Sequence, residues 1–68
     1  MTKLAEWMDA HGKDAAAVAG DIGMSYEHVH RVAKGELVPG DRFVMAFWRK
    51  YQLDIEDVTE ILSREATA

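Results

Sequence analysis

The sequence predicts an all-α protein, a compact bundle of five short helices, and three observations carry that prediction. Apolar residues recur at i, i+3 and i+4 in successive windows, the signature of one buried helix face. Gly12, Gly23, Gly35, Pro39 and Gly40 fall between those windows, where chain reversals belong. Nothing alternates with period two for long enough to argue a strand.

Each helix has its own signals. Leu4, Trp7 and Met8 form the apolar stripe of a first helix that stops at His11–Gly12. Asp14 is a suitable N-cap for a second, running from Ala15 to about Ile22, rich in alanine and ended by Gly23. Ser25 caps a third, where Val29, Val32 and Ala33 repeat the spacing and Gly35 closes it. After the Pro39–Gly40 loop, a fourth starts near Asp41, with Val44, Phe47 and Tyr51 as its expected inward set. Asp54 caps a fifth that carries Ile55, Val58, Ile61 and Leu62. One domain, 1–62, is expected, followed by a short frayed tail, 63–68.

Composition narrows the function. The chain has 68 residues, no cysteine, 49% hydrophobic residues and a formal net charge of −4. Disulfides and cysteine-bound metals are excluded, so stability must come from apolar packing or from a second subunit. No apolar run approaches the roughly 18 residues of a membrane span, and no signal segment opens the sequence. A cytoplasmic protein without membrane contact is expected. So small a core also leaves little wall for a deep pocket, which argues against an enzyme and against a small-molecule ligand.

The negative charge is local. The residues before Asp54 carry equal numbers of basic and acidic groups, and the deficit lies in Asp54, Glu56, Asp57, Glu60 and Glu65 against Arg64. Between Ser25 and Lys50 the balance is positive, from Arg31, Lys34, Arg42, Arg49 and Lys50. A solvated surface with no partner gives the same split, so the charge alone does not identify a ligand.

The second and third helices, joined across Gly23–Met24, have the sequence form of a helix-turn-helix, whose second helix enters the DNA major groove. At about 100° per residue, Val29, Val32 and Ala33 fall on one side of the third helix. Glu27, Arg31 and Lys34 lie opposite, with His28 and His30 on the flanks.

The spacing of the chain from Leu4 to Val58 resembles the Cro/XRE family of phage and bacterial repressors, the lambda-repressor-like proteins. The residues that carry the resemblance are Gly12, Asp14, Val18, Ala19, Ile22, Gly23, Met24, Ser25, Val29, Val32 and Gly35, then Pro39, Val44, Phe47, Tyr51, Leu53, Ile55 and Val58. The run from Val18 to Ser25 is the most specific part. The resemblance implies a five-helix bundle that binds duplex operators in a sequence-specific way and regulates transcription, by promoter occlusion and as a dimer on paired half-sites. It places Tyr26, Glu27, His28 and Arg31 at base edges, and Ser25, His30, Lys34 and Arg42 at phosphates. Arg31 suits guanine O6 and N7; Glu27 suits the cytosine amino group.

Five positions depart from the family pattern. Ala15 replaces a phosphate-anchoring Gln. Met8 and Ala33 replace a buried Arg–Glu bridge, an exchange that spares two desolvated charges. Trp48 stands where a small residue is usual, and Gln52 where Gly is usual, so the turn after the fourth helix is expected to differ.

A weak homodimer is expected through the C-terminal third, with Trp48, Ile55, Val58, Ile61 and Leu62 as candidate seam residues. The same apolar residues would equally complete a small core. No metal or cofactor is expected: His28 and His30 project about 200° apart on one helix and cannot converge on an ion. The competing function is a helix-turn-helix scaffold turned to protein binding, an antirepressor or antitoxin-like partner. The acidic total and Ala15 favour it, whereas Arg31, Lys34 and the positive central window favour DNA.

Overall fold

The structure, a computed structural model, describes residues 2–62; the expected frayed tail, 63–68, lies outside them. Five helices follow in order: α1 Lys3–Ala10, α2 Ala15–Ile22, α3 Tyr26–Lys34, α4 Asp41–Tyr51 and α5 Ile55–Ile61. Among the described residues there is no strand.

Local chemistry sets the boundaries. The Asp14 carboxylate accepts from the Ala17 amide at 2.8 Å, and the Ser25 hydroxyl accepts from the His28 amide at 3.2 Å. Each thereby satisfies an amide that its helix leaves without an internal partner. Asp54 occupies the N-cap position of α5 with extended backbone, but its side chain makes no capping bond. Gly23 ends α2 at φ 71°, the left-handed region that a Cβ disfavours. Gln52 ends α4 in the same region at φ 49°. The turn after α4 therefore keeps a left-handed cap where a different turn was expected from the sequence. A non-glycine residue held there costs about 1 kcal/mol.

The core is one cluster of twelve side chains drawn from all five helices: Leu4, Met8, Ala15, Val18, Ala19, Ile22, Val29, Val32, Phe43, Phe47, Val58 and Leu62. Two corrections to the sequence reading arise here. On α4 the fully buried residues are Phe43 and Phe47, while Val44 and Tyr51 are half-buried around them. On the C-terminal third, Val58 is 0% exposed and Leu62 8%, so neither is available as a dimer seam; both complete this chain's own core. A domain this short buries too little surface to leave such side chains unused.

Thr2 is a structural residue without a periodic signal. It is buried, it caps α1 by accepting from the Ala5 amide at 3.0 Å, and it donates to the Ala33 carbonyl at 2.6 Å. One hydroxyl thus fastens the start of α1 to the end of α3.

A second tie joins α2 to α4. The Tyr51 hydroxyl donates to Asp21 Oδ2 at 2.9 Å, and Lys13 Nζ reaches the same oxygen at 3.1 Å. The Tyr51 hydrogen bond, then the Lys13 bond and charge, hold the Asp21 carboxyl below its ordinary range. Burial, then the Asp21 carboxylate, pushes the Tyr51 phenol up. A carboxyl with a lowered native pKa stabilises the fold above its ordinary value of about 3.9, and that contribution disappears as pH falls through the native value. Wild-type and Asp21→Asn proteins are therefore expected to differ in melting temperature at pH 7 and to converge toward pH 2. A constant difference across that window in thermal unfolding would contradict the linkage.

Candidate functional site

The outer side of α3 is a polar surface on a firmly held helix. Its inner side is fixed by Val29 and Val32, buried chiefly against α2, whose Val18 and Ala19 are small enough for close approach. The reversal between the two helices is short. Gly23 and Met24 both donate to the Ala19 carbonyl, and Ser25 then starts α3. At the far end Gly35, at φ 82°, closes α3 with its amide on the Arg31 and Val32 carbonyls. A helix anchored along one side and capped at both ends presents its outer side chains from a rigid base.

On that outer side Tyr26, Glu27, Arg31 and Lys34 are exposed. Ser25, Glu27, His28 and Arg31 line one shallow depression, closed on one edge by Leu37 from the loop after α3. Tyr26 and His30, one turn apart, stack with ring centroids 5.4 Å apart. His28 is half-buried and lies parallel to the Phe43 ring at 5.7 Å, so it sits lower than its neighbours. Four of the eight candidate contact residues thus share the depression. Tyr26 and His30 form a separate aromatic pair, and Arg42 stands on another element, in the first turn of α4.

The ionic arrangement was not part of the sequence reading. Arg31 Nη2 donates to Glu27 Oε1 at 2.8 Å, and Lys34 Nζ lies 3.4 Å from Glu36 Oε2. The signal was present, because Glu27 and Arg31 are four residues apart in the favourable order for a helical ion pair. Both cations of α3 therefore carry a carboxylate partner. Arg42, Arg49 and Lys50 of α4 have no described carboxylate within salt-bridge distance. The N-cap of α4 is Gly40, and no described side chain caps the first turn of that helix, which carries Arg42.

The remaining seam candidates divide. Trp48 points outward at 38% exposure and Ile55 is 58% exposed, while Ile61 is half-buried against the core. Trp48, Arg49 and Gln52 line a second shallow depression on α4, and Met45 one turn earlier is also exposed.

Among the described residues no group of three or more His, Asp or Glu side chains is placed to hold a metal ion. No described helix is long and apolar enough to cross a membrane. Comparison with protein-family models, with curated proteins and with solved structures returns no match for this chain.

Proposed function

We propose that this chain is a sequence-specific duplex DNA-binding transcriptional regulator of the Cro/XRE type. In this reading α2 and α3 act as the helix-turn-helix and α3 enters the major groove. The observation that carries the reading is the two-sided character of α3. Val29 and Val32 lock one side into the core, and the other side offers Tyr26, Glu27, Arg31 and Lys34 from a helix with both ends fixed. Base edges are read by donors and acceptors held in such geometry, while phosphate contacts set register. Arg42 in the first turn of α4 suits a phosphate, since helix N-termini favour anions. The reaction class is binding, with no catalytic step.

Two reading heads on paired half-sites provide the contact area that one small module lacks. With Val58 and Leu62 withdrawn, the seam reduces to Trp48 and Ile55, with Ile61 at its margin. Arg49 and Lys50 beside Trp48, and Glu56 and Asp57 beside Ile55, offer opposite charges to a second copy of the chain.

A protein-binding scaffold is the second reading, favoured by the paired charges of α3 and by the exposed Leu37, Val38, Met45 and Trp48. Titration of a labelled random-sequence duplex at rising salt separates the two. DNA binding requires an affinity whose logarithm falls linearly with the logarithm of salt concentration, from counterion release. No duplex binding at low salt by the folded protein would leave the protein-binding reading.

A further inference from the structure

We infer that Glu27 and Arg31 read one guanine and one adjacent cytosine as a single coupled unit, with Glu27 positioning the Arg31 guanidinium as well as contacting a base. The inference rests on the DNA-reading function proposed above and names the base pattern that function would select. Three features of the pair support it.

The first is what the ion pair leaves free. The 2.8 Å bond from Nη2 to Oε1 uses one guanidinium N–H and one carboxylate oxygen. Parallel N–H groups remain for guanine O6 and N7, and the second carboxylate oxygen remains for a cytosine amino group. The second is distance. Bases stack at about 3.4 Å, and the paired groups lie 2.8 Å apart, so their spacing suits polar atoms of two neighbouring pairs.

The third is surroundings. Arg31 and Glu27 side chains are 56% and 71% exposed, and each is the other's hydrogen-bonding partner on α3. They stand together on the depression lined also by Ser25, His28 and Leu37, so a base edge entering it meets both charges at once. An exposed pair of this kind adds little to folding. Its consequence is for orientation. A lone arginine is drawn to the nearest phosphate, whereas the Glu27 carboxylate offers Arg31 a competing partner one turn away on the same helix. The carboxylate also repels phosphates, which weakens binding to unmatched sequences and sharpens discrimination.

The test uses the wild-type chain, Glu27→Gln, Arg31→Ala and the double variant, each selected against a pool of duplexes randomised over about ten base pairs. Circular dichroism confirms that each variant is folded, as expected for exposed positions. Wild-type protein is expected to enrich a guanine with a cytosine in the neighbouring base pair. Glu27→Gln is expected to lose the cytosine preference and also to lower the guanine preference about tenfold. It should at the same time bind the unselected pool more tightly. The double variant should discriminate no worse than Arg31→Ala, within about twofold. Changes in two adjacent columns of the enriched alignment are the expected result; a change confined to the guanine column would overturn the assignment of a cytosine to Glu27. Retention of full guanine preference by Glu27→Gln, or losses that multiply in the double variant, would overturn the coupling while leaving DNA reading intact. Absence of enrichment by the wild-type protein would overturn both.

Discussion

Phe47→Ala is expected to leave the protein largely unfolded at 25 °C. Phe47 is 0% exposed and meets the edges of Trp7 and Tyr51 with ring centroids 5.0 and 4.9 Å away. It also lies 6.4 Å from Phe43, so its loss opens the centre of the α1–α4 packing. Truncation of a buried phenylalanine costs about 3–5 kcal/mol, and a core of this size supplies about as much in total. Met45→Ala on the outside of the same helix, where the side chain is 48% exposed, should shift stability by less than about 0.5 kcal/mol. Denaturant unfolding followed by Trp7 and Trp48 fluorescence compares the two. A cooperative transition for Phe47→Ala near the wild-type midpoint would contradict the packing account.

Arg31→Ala and Lys34→Ala are expected to weaken DNA binding in different ways. Loss of Arg31 should cost about 1–3 kcal/mol on the preferred duplex and relax discrimination at the guanine. Loss of Lys34 should weaken all sequences alike and reduce the slope of log affinity against log salt by about one. Lys34 must exchange Glu36 for a phosphate, which is easy because both side chains are more than half exposed. Titrations of both variants against matched and scrambled duplexes separate these roles; identical behaviour would remove the division between reading and clamping.

The helices were legible because their ends are written in local chemistry. Asp14 and Ser25 cap by side-chain bonds that depend only on residues three positions away, and Gly23 and Gly35 stop by a backbone conformation that needs no tertiary contact. Inner faces were less legible. On α4, Phe43–Phe47 and Val44–Phe47–Tyr51 are two apolar stripes that overlap at Phe47, and only the neighbours decide between them. Those neighbours bury Phe43 and leave Tyr51 at the margin, where its hydroxyl finds Asp21. Val58 and Leu62 have the same sequence signal as a dimer seam, because an apolar residue looks the same whether a neighbouring helix or a second chain covers it. Thr2 had no signal: a hydroxyl near the start of a chain marks a helix cap, but nothing in its spacing reveals that it also donates to Ala33 across the bundle.

At the candidate site the residue types and their shared face followed from helical geometry. The depth of His28 and the stacking of Tyr26 on His30 depend on ring placement, which periodicity does not encode. The Glu27–Arg31 pair is written in its spacing, four residues apart in the favourable order. Reading α3 as paired charges changes the expected behaviour of the surface. Its cations are paired, so the proposed DNA binding relies on matched hydrogen bonds and on α4 cations more than on charge attraction along α3.

Selection of duplexes from a fully random pool by the wild-type protein tests the central claim most directly. Sequence-specific reading by α3 predicts convergence on one short motif containing a G·C-rich step. With two copies bound, that motif should occur twice, with centres about 34–36 Å apart. A pool that remains random after repeated rounds, with the protein folded throughout, would contradict the proposed function.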